Sequence, residues 1–254
     1  MIIAQISDTH LICVSSKFKV IAENRIKYLE NCVSNILGLR PQPDAIIHTG
    51  DVSHNGLIEE YRLAYKILNR LNSPIFFTPG NRDDKNNLKS IFLHSYLTNA
   101  ERDQFIYSTY FKDFRIISMD TSCKKNNQGE ITLKGLEIFS QILMENKEIP
   151  TVIFMHHPPY DVSLSSNKNI EYNSEKLIPK FWKILESFNV IGLFCGHIHR
   201  NFQTKVGNII SQTLPPIALD LSRDKKVNKE LNKIQYFLHT YSKSTGIVSE
   251  KILV

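Results

Sequence analysis

Hydrophobic residues follow two alternating spacings along this chain. Apolar, β-branched runs with the length of buried strands occupy residues 1–7, 44–50, 73–80, 114–121, 151–159 and 190–200. Other segments carry apolar residues every three or four positions, which predicts amphipathic helices over residues 24–39, 57–71, 132–147 and 175–189. The alternation of strands with helices favours a layered α/β fold.

The C-terminal part of the chain has a different pattern. Helical periodicity fades after residue 201, and residues 202–214 and 234–254 have the apolar runs of strands, with the last two strands paired around SKSTG at 242–246. This β-rich end predicts a second sheet packed on the first, with the helices outside. We expect the polar segment 221–233 to be an exposed or mobile loop.

Composition sets bounds on size and location. The chain has 254 residues, 42% of them hydrophobic, which is enough for one large domain over residues 1–254. It has no apolar run of about 18 residues, and its short apolar start lacks the basic residues of a secretory signal. We therefore expect a cytoplasmic protein without a membrane partner. The four cysteines form no C-x-x-C pair and are expected to stay reduced.

The charge balance is mildly basic, because Lys and Arg exceed Asp and Glu by 31 − 25 = 6. Such an excess suits an anionic substrate but is also common in Lys-rich proteins without one. The densest basic cluster is Lys225, Lys226, Lys229 and Lys233, and it has no interleaved aromatic residues. Nucleic acid is therefore a weak candidate partner. The sequence leaves open whether the protein forms a homodimer.

Residues able to bind metal ions follow five of the predicted strands. They are Asp8, His10, Asp51, Asn81, His156, His157, His197 and His199. In α/β folds, ligands bind beyond the carboxyl ends of the strands. Asp8 and His10 are two residues apart, as are His197 and His199. On an extended backbone such residues point the same way, so we expect each pair to reach a shared site.

Each motif has an ordinary structural explanation when taken alone. Strand-end D-x-H pairs and G-D or G-N turns are common, and GHIH is the most specific of the set. Their joint occurrence at successive strand ends is what indicates a metal site. Carboxylate, imidazole and carboxamide ligands without a thiolate favour Mn, Fe or Zn. Seven of these eight residues already exceed the needs of one ion, so we expect two divalent metal ions that share Asp51.

The motifs DTH, GD, GN, MHHPP and GHIH, at residues 8–199, resemble those of the calcineurin-like metallophosphoesterase superfamily. Their order and the chain length are most similar to the bacterial class III 3′,5′-cyclic-nucleotide phosphodiesterases. The resemblance implies an α/β fold that is a four-layer α-β-β-α sandwich, with two mixed sheets flanked by helices.

The same resemblance implies a role for each metal-binding residue. One ion would be held by Asp8, His10, Asp51 and His199. The other would be held by Asp51, Asn81, His156 and His197, with His157 lining the pocket. The phosphate of the substrate would lie against His10, Asp51, Asn81, Arg82 and His199.

Arg82 stands where the superfamily usually has a histidine that contacts phosphate and protonates the leaving oxygen. An arginine is a poor proton donor because its pKa is above about 12, but it can clamp a phosphate and neutralise charge in the transition state. We expect Arg82 to be catalytic in this electrostatic sense. His157 and His54 are candidate replacements for the acid. His54 and Arg82 also have a purely structural interpretation. His54 would then be an N-terminal helix residue without a chemical role, and Arg82 would form a surface salt bridge to Asp83 or Asp84.

These residues predict a dinuclear phosphodiesterase in which a metal-bound hydroxide attacks the phosphodiester. The resemblance makes 3′,5′-cyclic AMP, a cyclic nucleotide, the first substrate guess, hydrolysed to AMP. One alternative is a broad-specificity phosphodiesterase, phosphomonoesterase or nuclease. Another is a low-activity or non-enzymatic metal-binding scaffold, which the missing histidine at position 82 favours.

Overall fold

One mixed sheet carries the first three strands of the chain. The computed structural model describes residues 1–15, 17–92, 105–111, 113–123, 126–163, 170–223 and 233–254. Across the first sheet the order is β11 (Gly246–Leu253), β10 (Gln235–Ser242), β1 (Ile2–Ile6), β2 (Ala45–His48) and β3 (Ile75–Phe77). Strands β1, β2 and β3 run parallel, whereas β10 pairs antiparallel with both β1 and β11.

A second mixed sheet contains the strands from the middle of the chain. Its order is β4 (Tyr107–Phe111), β5 (Phe114–Ser118), β6 (Thr151–Phe154), β7 (Val190–Cys195), β9 (Ile209–Thr213) and β8 (Phe202–Val206). The four central strands are parallel, and β4 and β8 are antiparallel edges. The hydrophobic pattern did not predict β4, because this edge strand is half-exposed and its centre is polar.

Helices cover the outer faces of both sheets. The core of the first sheet includes buried residues of α1 (Lys19–Gly38), α2 (Ile58–Leu68) and α3 (Lys85–Phe92). The core of the second includes buried residues of α4 (Leu133–Glu145) and α5 (Ile178–Glu186). The predicted sandwich of two mixed sheets flanked by helices is confirmed. The expectation that the C-terminal strands form the second sheet is wrong, because β10 and β11 extend the first sheet and β8 and β9 extend the second. Helix α1 begins five residues before the predicted start at residue 24. The hydrophobic pattern missed this first turn because Val20 and Ile21 are exposed and do not belong to the buried face of the helix.

Four further predictions concern the polar loop, the cysteines, membrane-spanning helices and the number of domains. Residues 224–232 of the predicted mobile loop, including Lys225, Lys226 and Lys229, lie outside the described residues. Ser222, at the start of that loop, is buried rather than exposed. No disulfide joins the four cysteines. Across the described ranges, no helix is long and apolar enough to cross a bilayer. The single domain over residues 1–254 stays a prediction.

A buried histidine in β10 makes stability depend on pH. Burial lowers the pKa of His239 to about 3, and its ring nitrogens lie 3.0 Å from Gln5 Oε1 and 2.7 Å from Ser249 Oγ. Because the unfolded chain binds the proton below pH 6.5 and the folded chain does not, stability falls as pH drops from about 6.5 towards 3. Urea unfolding at pH 7.5 and 5.0 should show a loss of about 2 kcal/mol from His239 alone. In His239→Gln that part of the loss should vanish, and an equal loss in both proteins would contradict the assignment.

Candidate metal centre

The loops that carry the predicted ligands are joined directly after their strands. Between the loops that follow β1 and β2, Asp8 N–H donates to Gly50 O at 3.0 Å, and His10 N–H donates to Asp51 O at 2.9 Å. Between the sheets, His197 N–H donates to Asp8 Oδ2 at 3.2 Å. The carboxyl ends of β1, β2, β3, β6 and β7 therefore meet at one edge, which brings all seven predicted metal ligands together.

One group of ligand atoms comes from Asp8, His10, Asp51 and His199, and its candidate ligand atoms lie within 4.8 Å of one another. His10 Nε2 lies 3.2 Å from His199 Nε2 and 3.4 Å from Asp51 Oδ2. His199 Nε2 lies 3.3 Å from Asp8 Oδ1. Ligand bonds of about 2.1 Å separate neighbouring ligand atoms by about 3 Å, so this group can hold one divalent ion.

A second group lies on the other side of Asp51. Asn81 Oδ1 is 3.1 Å from both His156 Nε2 and His197 Nδ1. Asp51 Oδ2, which faces His10, is also 3.6 Å from His156 Nε2. Asp51 is thus placed between the two groups, as a carboxylate shared by two ions would be. His157 lies near His156 and His197, with a ligand-type atom of each within 4.8 Å of the others.

The backbone at these ligands differs from the sequence expectation. Five ligands have positive φ angles, namely Asp8 (53°), His10 (42°), Asp51 (54°), His197 (70°) and His199 (53°). The extended backbone assumed for the two-residue spacings is therefore wrong, although the pairs do converge. Positive φ is uncommon for residues other than glycine, and it persists only where surrounding contacts impose it. Such strain clustered on ligands is typical of functional sites.

Gly80 lets the Asn81 loop approach the shared carboxylate. A Cβ atom at position 80 would lie 2.1 Å from Asp51 Oδ1, where no side chain fits. The same carboxylate oxygen accepts a hydrogen bond from Arg82 N–H at 2.7 Å. A residue larger than glycine would push the loop and the carboxylate apart.

Backbone carbonyls orient two of the imidazoles. His156 Nδ1 lies 2.7 Å from Thr49 O, and His199 Nδ1 lies 3.2 Å from Leu221 O. Only a protonated Nδ1 can donate to a carbonyl, so in each neutral ring Nε2 carries the free lone pair. This arrangement points a metal-binding nitrogen into each group and fixes its tautomer.

The electrostatics of the centre fit a bound cation. Burial raises the pKa of Asp51, but the charges of His156 and His10 outweigh it and lower the pKa to about 2. Burial lowers the pKa of His156, but the charge of Asp51 and a hydrogen bond to it raise the pKa to about 9. Asp8 Oδ1 is buried, and no described group donates a hydrogen bond to it, although His199 Nε2 lies 3.3 Å away. A buried carboxylate oxygen left in this way is suited to a metal ion.

The two histidines considered as replacement acids have unsuitable surroundings. His157 Nδ1 lies 3.0 Å from Thr121 Oγ1 and its Nε2 lies 3.1 Å from Asn127 O, so both ring nitrogens are engaged. Burial, and then the charge of His197, holds the pKa of His157 well below its ordinary value. Burial, and then the charge of His10, lowers the pKa of His54 to about 4. Both rings are therefore neutral at pH 7.

Asp83 is a supporting residue that the sequence analysis did not identify. Its carboxylate accepts four hydrogen bonds of 2.9–3.2 Å, from the N–H groups of Val52, Ser53 and Gly80 and from Tyr61 O–H. It thereby joins the loop after Asp51 to the loop before Asn81. Because these four hydrogen bonds direct the Asp83 carboxylate into the protein, a surface salt bridge between Arg82 and Asp83 is not favoured. The adjacent acids in GNRDD were the only sequence signal, and they do not show which acid points inward.

A polar cavity of about 790 Å³ adjoins Asn81. The side chains that line it include Asn55, Arg82, Lys85, Asn86, Ser122 and Asn127. Asn127 also lies against the metal ligands, because its Oδ1 accepts a hydrogen bond from Asn81 Nδ2 at 3.3 Å. Arg82 is exposed to this space and can reach an anion there. The cavity can therefore receive a polar group attached to a phosphate at the metal centre.

Comparisons with known proteins agree with this geometry. Residues 1–201 match the family model described as calcineurin-like phosphoesterase. A relative from Arcobacter nitrofigilis, named probable glycerophosphodiester phosphodiesterase GpdQ, is 32% identical over 98% of this chain and 92% of its own length. A 3′,5′-cyclic adenosine monophosphate phosphodiesterase CpdA from Vibrio vulnificus is 24% identical over 78% of this chain and 69% of its own.

A solved structure shares the fold over the full chain. It is a dimetal phosphatase from Danio rerio, which superposes with a TM-score of 0.71 at 12% identity and covers 100% of this chain and 98% of that one. At this identity the likeness concerns the fold alone. Together with the match over residues 1–201 and the relative at 32% identity, it leads to one conclusion. This chain belongs to the calcineurin-like phosphoesterase family.

Proposed function

We propose that this protein is a dinuclear metal-dependent phosphodiesterase that hydrolyses small, polar phosphodiesters. The observation that carries the proposal is the position of Asp51 between two groups of ligand atoms, 3.4 Å from His10 Nε2 and 3.6 Å from His156 Nε2. Two divalent ions, when bound, polarise phosphate oxygens and make a water nucleophilic at neutral pH. The ligands that would hold them are those that the family resemblance assigns to the two ions.

The chain's own residues orient the substrate. Arg82 carries a permanent positive charge beside Asn81 and can hold a non-bridging phosphate oxygen with its planar fork of N–H groups. Its backbone N–H holds Asp51 Oδ1 at 2.7 Å, so the phosphate clamp and the shared ligand move together. The residue thus supports charge neutralisation in the transition state without a proton transfer.

The cavity favours a hydroxyl-rich substituent over a nucleobase. Amide and hydroxyl side chains such as Asn55, Asn86 and Ser122 line it, and no described lining residue is aromatic. Bases are commonly bound by stacking on aromatic rings, whereas polyols need hydrogen-bonding groups. The relative at 32% identity is named a glycerophosphodiester phosphodiesterase. We therefore rank glycerophosphodiesters first.

3′,5′-Cyclic AMP, the first guess from sequence, is the second candidate substrate. It is supported by the CpdA relative at 24% identity, whose name states this activity. A cyclic nucleotide needs room for its base, and the cavity of about 790 Å³ is large enough for a compact nucleotide.

A substrate panel tests the proposal. Protein stripped of metal and reloaded with Mn²⁺ should hydrolyse bis(p-nitrophenyl) phosphate. Its kcat/KM for glycerophosphocholine should exceed that for 3′,5′-cyclic AMP by about tenfold or more, because hydroxyl-binding sites discriminate strongly. The stripped protein without metal is the control. The opposite ranking would make the cyclic nucleotide the substrate class, and no metal-dependent turnover on any ester would support the non-enzymatic scaffold.

A further inference from the structure

The segment 217–223 binds the backbone of the loops that carry one group of ligands. Ala218 N–H donates to Asp8 O at 3.1 Å, and Arg223 N–H donates to His199 O at 2.9 Å. Leu221 O accepts from His199 Nδ1 at 3.2 Å. Two of the four ligands in the first group are therefore held by this one segment.

Arg25 extends these contacts to a third ligand. Its side chain in α1 is only 3% exposed, and its Nη1 donates to His10 O at 2.8 Å. The rest of the guanidinium binds Asp220 in the same segment, with Nη2 at 2.7 Å from Oδ2 and Nε at 3.1 Å from Oδ1. A two-point Arg–carboxylate pair fixes orientation as well as distance. The pair therefore links the segment to the His10 backbone.

This connection matters because the ligand loops are strained. Asp8, His10 and His199 all have positive φ angles, of 53°, 42° and 53°. Such conformations persist only where neighbouring contacts impose them. The carbonyl contacts at all three residues come from Arg25 or from segment 217–223. Loss of the ion pair would let this backbone relax and move the ligand atoms apart.

The second group of ligands is held by different residues. His156 Nδ1 lies 2.7 Å from Thr49 O. The loop before Asn81 is held by Asp83, whose Oδ2 accepts from Gly80 N–H at 2.9 Å. These contacts do not pass through Arg25 or Asp220. Apart from the shared Asp51 and the hydrogen bond from His197 N–H to Asp8 Oδ2 at 3.2 Å, the two metal sites therefore have separate supports in this structure.

We propose that Arg25 and Asp220 are positioning residues for one of the two metal sites, the one formed by Asp8, His10, Asp51 and His199. This inference rests on the dinuclear centre of the proposed function. Removing the ion pair should weaken that site and spare the site formed by Asn81, His156 and His197. Residues that orient metal ligands typically change metal affinity about 10- to 100-fold.

The test measures Mn²⁺ binding with each site isolated. Asn81→Ala should weaken the second site and leave the first observable, and His199→Ala should do the reverse. Equilibrium dialysis with metal analysis gives each Kd without any assay of activity. In the Asn81→Ala background, Asp220→Asn should raise Kd about 10- to 100-fold. In the His199→Ala background the same change should alter Kd less than about 3-fold.

Two further variants separate positioning from general stability. Arg115 is another fully buried arginine that binds backbone carbonyls, at Ile142 and Asn146, away from the ligands. Arg115→Met should lower Tm without changing either Kd. Arg25→Lys keeps the charge but loses the fork, so it should weaken the first site as Asp220→Asn does. The double variant should bind Mn²⁺ at the first site no more weakly than Arg25→Lys alone, because the lysine has already lost the two-point pair with Asp220.

The outcomes distinguish this inference from the proposed function. If Asn81→Ala and His199→Ala each leave two Mn²⁺ sites of unchanged affinity, the dinuclear centre itself is wrong. If those variants behave as expected but Asp220→Asn weakens both sites equally, weakens only the second, or changes neither, the positioning role is wrong. Asp220 is about one-third exposed at 34%, so Asp220→Asn is a mild change for folding.

Discussion

Replacement of Asp51 by asparagine should lower phosphodiester hydrolysis by about 10³-fold or more, the scale of several kcal/mol of lost transition-state stabilisation. Asp51 is 2% exposed and lies between the two groups of ligands, so both sites lose a charged ligand at once. Asparagine keeps the shape, but its amide nitrogen cannot bind a cation. Metal analysis of the purified variant should find fewer than two ions per chain.

A second readout for this variant needs neither metal nor substrate. In the metal-free protein the charge of Asp51 and a hydrogen bond to it raise the pKa of His156 to about 9 against the opposing effect of burial. In Asp51→Asn that pKa should fall, which NMR titration of the histidine ring can measure. Asp44→Asn is a matched control, because Asp44 precedes the same strand at its other end. An unchanged rate in Asp51→Asn, or an equal loss in the control, would contradict the shared-ligand role.

The sequence predicted the parts of the fold that follow from burial. Parallel strands buried on both faces, such as β6 and β7, are continuous apolar runs, and their pattern marks them clearly. Strand β4 has a single buried residue and a half-exposed remainder, so its pattern carries little signal. The first turn of α1 likewise exposes Val20 and Ile21. The hydrophobic pattern therefore could not predict a strand at a sheet edge or a helical turn with exposed apolar residues.

The identity of the ligands was also predictable, but their geometry was not. Strand ends collect ligands in α/β folds, so Asp8, Asp51 and His156 could be placed together from order alone. Backbone φ angles come from tertiary contacts, and no local pattern shows that Asp8 and His10 are left-handed. The same holds for supports distant in sequence. Arg25 and Asp220 are 195 residues apart, and no short motif links them.

Replacement of Arg82 by alanine should lower kcat for phosphodiesters by about 10²- to 10³-fold, the usual effect of removing one group that stabilises transition-state charge. The kcat of Arg82→Lys should lie between those of Arg82→Ala and the natural protein, because lysine keeps a point charge but loses the planar fork of N–H groups. Arg62→Ala is a suitable control. Arg62 is an exposed arginine of α2, 3.7 Å from Glu59, and its loss should leave the rate unchanged.

Arg82→His tests how the leaving oxygen gains its proton. His157 and His54 are neutral at pH 7, and both ring nitrogens of His157 are engaged, so neither ring has an imidazolium proton to give to the leaving oxygen. With Arg82 also unable to donate, hydrolysis should depend strongly on the leaving group, with p-nitrophenyl esters much faster than alkyl esters. A histidine at position 82 titrates near pH 6.5 and can supply the proton. The variant should narrow the gap between the two esters and add a basic limb to the pH–rate profile. A gap and profile identical to those of the natural protein would show that position 82 does not face the leaving group.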